Sequence, residues 1–87
     1  MKRAAAILLL ALLSLLSLPA AAQIAVGDEN WALRAEGSQG ATASPARIDA
    51  AIAAYRTAIA TEPSSLEAHW KLARALRFKG SYTTSNI

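Results

Sequence analysis

SPARIDAAIAAYRTAIATEPSSLEAHWKLARALRFKG, residues 44–80, reads as two helices joined by a tight Pro63-Ser64-Ser65 turn, and the fold of the chain rests on that reading. Ser44-Pro45 is a helix start, because the serine oxygen caps free amide groups and proline is tolerated at the first helical position. Ile48, Ala51, Ile52, Tyr55, Ala58 and Ile59 then recur at spacings of three and four, which gathers them on one stripe of a helix over about 45–61. Arg47, Asp49, Arg56 and Thr57 fall mostly off that stripe. Pro63 ends the helix and biases Glu62 away from helical geometry.

After the turn, Ser64 and Glu67 have the spacing of a capping box, predicting a further helix over about 65–79. Gly80 suits a left-handed position past its end, and Arg77 and Lys79 complement the negative end of its dipole. His69, Leu72, Ala73 and Leu76 form its expected packing stripe. Upstream, Asp28 to Glu36 carries Trp31, Leu33 and Ala35 among charged residues and predicts a short first helix over about 28–36, ended by Gly37. Residues 37–44, rich in Gly, Ser, Thr and Ala, form a loop.

The N-terminus has a different logic. Lys2 and Arg3 precede a 15-residue apolar run, Ala4 to Leu18, which Pro19 and the small residues Ala20-Ala21-Ala22 follow. That order is the order of a secretory signal peptide, with cleavage expected after Ala22. The alternative, an uncleaved anchor, is disfavoured by length, since a spanning helix needs about 20 apolar residues. The chain therefore divides into 1–22, a signal peptide, and 23–87, a helical region exported to the periplasm or secreted from a bacterial cell. No stable membrane span is expected once the leader is gone.

Composition narrows the function classes. Two of the nine basic residues belong to the leader, leaving seven against six acidic residues, and so small a net charge gives no warrant for nucleic-acid binding. Half of the 30 apolar residues in 23–87 are alanine, predicting a thinly packed helical core. There is no cysteine, hence no disulfide and no thiolate zinc site. With one histidine and no glycine-rich phosphate loop, the chain lacks the inventory for a catalytic constellation, and neither a cofactor nor a metal is expected. His69 itself reads most simply as a helix-interface histidine.

The alternation of small and large residues along the stripes resembles the tetratricopeptide repeat, a 34-residue helix-turn-helix unit. Ala51, Tyr55, Ala58 and Pro63 match the family's Ala, aromatic, Ala, Pro series. Leu72-Ala73 falls on its Leu-Gly pair in a new repeat beginning at Leu66, and Gly80 and Tyr82 fall on the turn between helices. Departures are His69 where the family commonly has tryptophan, with Trp70 one place later, and Leu76 in place of tyrosine. The first helix fits if residues 37–44 hold an insertion of about four residues, with Trp31 and Ala35 on the packing positions. A generic alanine-rich helical hairpin is the alternative.

The resemblance implies an all-α array of antiparallel helix-turn-helix units, incomplete here because the last repeat stops just after Tyr82, so that 23–87 reads as the N-terminal part of a longer domain. It also implies a peptide-binding groove lined by first-helix positions, here Glu67, Trp70, Lys71, Arg74, Arg77 and Phe78. Lys71, Arg74 and Arg77 lie three apart and would present a cationic row to an acidic protein or peptide partner. The plainer reading of the same charges is a solvated helix face. The function implied is that of a non-catalytic scaffold in the cell envelope. The alternative from the same resemblance is an accessory component of a TRAP-type periplasmic solute-uptake system.

Overall fold

The structure is a computed structural model and describes residues 18–83. The charged and apolar parts of the expected leader, residues 1–17, lie outside the described residues, as do residues 84–87. The described chain is all-α, with three helices: α1 (Ala20–Ala32), α2 (Pro45–Thr61) and α3 (Leu66–Tyr82). Among the described residues no helix is long and apolar enough to cross a membrane.

Each helix starts on a backbone or side-chain acceptor. The carbonyl of Pro19 accepts from the amides of Ala22 and Gln23, at 3.0 and 3.1 Å, and the alanines that follow are the strongest helix formers. Ser44 caps α2 by accepting from Ala46, with Pro45 in the first turn. Glu62, at φ −139° and ψ 85°, takes the extended geometry that the following proline favours. Ser65 caps α3 by accepting from the Ala68 amide at 3.2 Å.

The first helix is therefore not over 28–36. It begins eight residues earlier, and Leu33 to Gly37 are turn, with Gly37 at a φ of 78° that an L side chain rarely adopts. The third helix differs at both ends. Ser65 rather than Ser64 is its cap, so the expected capping box with Glu67 does not form. Gly80 lies inside the helix, which runs on to Tyr82.

Contacts along the chain fix the directions. Gly27 and Asn30 of α1 meet Tyr55 and Arg47 of α2 in descending order, so these two helices are antiparallel. Asp49 of α2 pairs with Lys79 of α3 across a hairpin closed at Glu62–Ser65, and this pair is antiparallel too. Asp28 and Trp31 of α1 meet Lys71 and Phe78 of α3 in ascending order. Hence α1 and α3 run in the same direction, and both contact α2.

The core is small and alanine-rich. Ile24, Ile48, Ala51, Ile52, Tyr55, Ala58, Ala68 and Ala75 are buried together, with Trp31, Ile59, Leu72 and Phe78 packed against them. Tyr55 is the largest fully buried side chain and lies directly over Gly27, where a Cβ would come within 2.3 Å of its ring. That contact requires glycine, and it sets how closely α1 and α2 approach. The connecting loop is tied down by the Ala43 amide, which donates to the Tyr82 carbonyl at 2.7 Å, and by the Arg47–Glu36 ion pair at 2.8 Å.

The inward face of α3 is not the expected one. Ala68, Lys71 and Ala75 are buried, whereas His69 and Ala73 are exposed and Leu76 keeps 41% of its surface. Of the expected stripe only Leu72 packs against the core. The helix is turned by about one residue, 100°. Two alanines allow α3 close to its neighbours, and Lys71 finds fixed anions on that side.

Candidate functional site

The residues expected to line a groove gather where α3 meets α1. Lys71 is the centre. Its Nζ lies 2.8 Å from Asp28 Oδ2 and 2.8 Å from Glu67 Oε2, with the lysine side chain only 11% exposed. Tyr55 OH donates to the other Asp28 oxygen at 2.7 Å. Asp28 thus ties all three helices at one point.

Burial disfavours the charged form of Asp28, but hydrogen bonds from Lys71 and Tyr55, with the charges of Lys71 and Arg74, outweigh it and hold the carboxyl below its ordinary 3.8. Burial likewise pulls Lys71 down, and its bonds to Asp28 and Glu67 push it above 10.5. Burial and the Asp28 carboxylate raise Tyr55 well above 10.0. All three groups keep one protonation state throughout the neutral range. These bonds tie the three helices together.

Beside the tie runs an alternation of rings and cations. The Arg74 guanidinium lies 4.0 Å from the Trp31 ring centroid and 4.9 Å from that of Trp70. On the other side of Trp31, Arg34 stands at 4.1 Å, and it also lies 5.5 Å from Phe78. Phe78 meets Trp31 edge-on at 5.7 Å and Tyr82 at 5.1 Å. Stacking satisfies the flat faces of Arg74, while its buried Nε has no hydrogen-bond acceptor among the described residues.

The six groove candidates therefore separate. Lys71 is spent on two carboxylates, one of them Glu67, and is not part of a free cationic row. Phe78 is packed on the core rather than presented. Trp70, 52% exposed, and Arg74 stand together at the surface, and Arg77 is exposed with no ion pair among the described residues. Of the packing candidates, Ala51, Tyr55 and Ala58 are buried, Leu72 is half-buried, and Pro63 and Ala73 are exposed. His69 is no interface residue, since its Nε2 meets the Pro63 carbonyl at 2.8 Å on the outside of the turn.

Asp28, Tyr55 OH, Trp31 and Arg34 were not legible as parts of this cluster. Asp28 and Lys71 are 43 positions apart, and no local pattern links them. The Glu67–Lys71 pair did carry a signal, the i, i+4 spacing of opposite charges. Elsewhere, a shallow depression of about 350 Å³ lined by Gly37, Gln39, Thr42, Ala43, Ser44 and Pro45 has no ionisable side chain in its wall. No group of three potential metal ligands occurs among the described residues.

Comparison of the chain with protein-family models, with curated proteins and with solved structures gives no match.

Proposed function

We propose that the chain is an exported, non-catalytic scaffold of the tetratricopeptide type that holds an acidic protein or peptide segment in the cell envelope. The observation that carries this reading is the aromatic–cation surface shared by α1 and α3, with Arg34, Trp31, Arg74 and Trp70 in alternation. Two like-directed helices flanking an antiparallel one support it, since that is how successive first helices stand in such a repeat. Gly27 beneath Tyr55 supports it too, placing a small residue of one helix under the aromatic residue of the next, as the repeat's glycine and aromatic positions imply. In that frame the loop between α1 and α2 is the insertion, and Trp31, half-buried against the core, backs Arg74.

Recognition follows from the side chains left available. A carboxylate of the partner pairs with the exposed Arg77, with the Arg74 charge beside it, and an apolar side chain packs on Trp70. Exposed charge pairs give about 0–1 kcal/mol each, so binding is salt-sensitive and the indole supplies most of the affinity. Capture from envelope extract by the complete protein tests this. Arg74→Ala with Arg77→Ala, and separately Trp70→Ala, should each lose the partners that wild type retains; equal recovery by all three sinks the reading. Export is tested by intact mass, with loss of residues 1–22 expected and retention of Met1 in a membrane fraction counting against it.

A further inference from the structure

Ala20, Gln23, Ile24 and Gly27 are the buried residues of α1, and Gly27 among them lies under Tyr55, so this is the face turned to α2. Gln23 is the polar member of that face, and with Tyr55 and Ile48 it is one of the largest fully buried side chains. In the uncut chain its backbone N–H is an ordinary peptide donor, bonded to the Pro19 carbonyl at 3.1 Å. Removal of residues 1–22 changes that atom. It becomes a free α-amine, on a residue whose side chain ends in an amide.

We infer that the exported chain is modified at position 23, where Gln23 closes on itself to a pyroglutamyl lactam. This rests on the cleavage after Ala22 already proposed, and adds a chemical step to it. The uncharged α-amine attacks the side-chain carbonyl carbon, Cδ. A bond forms between the backbone N and Cδ, the bond from Cδ to Nε2 breaks, and Nε2 leaves as ammonia with one proton from the amine. The ring has five members, and the step needs no oxidant, reductant or co-reactant. The cut itself frees the groups, because residues 18–22 no longer lie over a terminus that is now the fraying end of a helix.

The place of Gln23 in the fold gives the ring its use. A first helix starting at Gln23 has no carboxylate in its first turn, Gln23 to Val26, so an ammonium there adds charge to the positive pole of the helix. The first acid downstream, Asp28, is bonded to Lys71 and Tyr55. Ring closure removes the charge and keeps the Gln23 carbonyl that starts the helix. A five-membered ring in the first turn is also what Pro45 places at the start of α2. The lactam leaves no α-amine for an aminopeptidase to bind. The next residue such an enzyme would reach is Ile24, a member of the core.

Intact mass of the exported chain, after its amines are dimethylated under denaturing conditions, tests this. The main species should be residues 23–87, lighter than the encoded sequence by one ammonia, with label on Lys71 and Lys79 and none on the N-terminus. Stepwise sequencing should be blocked until a pyroglutamyl aminopeptidase removes the first residue. Gln23→Asn, whose closure would need a four-membered ring, should be cut at the same bond and keep a labelled N-terminus at full mass. Residues 23–87 of the wild type at full mass with a labelled N-terminus overturn the inference and leave the cleavage reading standing. An ammonia loss that Gln23→Asn retains also overturns it, since the loss then belongs to another side chain. A chain that keeps Met1, or is cut at another bond, overturns both.

Discussion

The two faces of α3 depart from the usual arrangement of a surface helix. Inward it buries Ala68, Lys71 and Ala75, with Leu72 and Phe78 packed on the core beside them; outward it leaves Leu66, Ala73 and Leu76. A helix on a protein surface ordinarily turns its apolar stripe to the core and its charges to water. Here the inner face is chosen by fit. The alanines admit close neighbours, and the lysine, its stem covered and its ammonium held by two carboxylates, stands where Asp28 and Glu67 can both reach it. The contrast teaches that a hydrophobic stripe fixes the rotation of a helix only when its neighbours leave room for large side chains.

The largest effect belongs to the residue on which the inner face converges. Tyr55→Ala removes the largest fully buried side chain and the donor to Asp28, at a cost of about 3–5 kcal/mol. A domain this small has about 5 kcal/mol in total, so the variant should show no cooperative melt by circular dichroism. A cooperative transition near that of wild type would mean that the three helices do not depend on a common centre.

The same substitution on opposite faces sharpens the comparison. Ala75→Leu should destabilise the fold by about 1–3 kcal/mol through overpacking, whereas Ala73→Leu should change it by no more than about 0.5 kcal/mol. Urea unfolding at low micromolar concentration separates the two. Equal effects would put the rotation of α3 in error.

Lys71→Met keeps the apolar stem and removes the charge. Because Asp28 keeps 43% of its side-chain surface in contact with water and can hydrate, the expected loss is below about 1 kcal/mol. A loss above about 3 kcal/mol in the same urea assay would show that the ion tie, rather than the alanine packing, holds α3 in place.

The smallest effects are those of pH. The Asp28 pKa is lower in the fold than in the unfolded chain, so its contribution is present above about pH 4 and is lost as pH falls further, through the folded value. Lys71 and Tyr55 are raised, so their contributions are complete below about pH 10 and are lost as pH rises beyond it. Stability should therefore be level between these limits, and Lys71→Met should shallow both edges. Unfolding midpoints taken across the pH range check it, and a step near neutrality would point to a group outside this network.

The hairpin was readable because its signals are local: the stripe from Ile48 to Ala58, the Ser44-Pro45 start and the Pro63 stop all act within a few residues. The first helix was misplaced because Ala20-Ala21-Ala22 serves two readings, a small-residue processing site and a strong helix start, and sequence alone favoured the first. The extension of α3 past Gly80 depends on Phe78 against Tyr82 and on Ala43 donating to the Tyr82 carbonyl, contacts that bring a loop from far upstream. The candidate cluster was half visible. Trp70 and Arg74 are neighbours on one helix, but their partners Trp31 and Asp28 come from α1, and only the fold decides that Lys71 faces them.

The start of α1 at Pro19 bears on the proposed processing. Cleavage after Ala22 would need residues 20–23 stretched out, yet in the folded chain they are the first turn of α1, with Ala20 and Gln23 buried. Under that proposal scission and folding compete. A chain cut while still unfolded would start with a shorter first helix beginning at Gln23, whereas a chain that folds first would be cut only at the rate at which that turn opens.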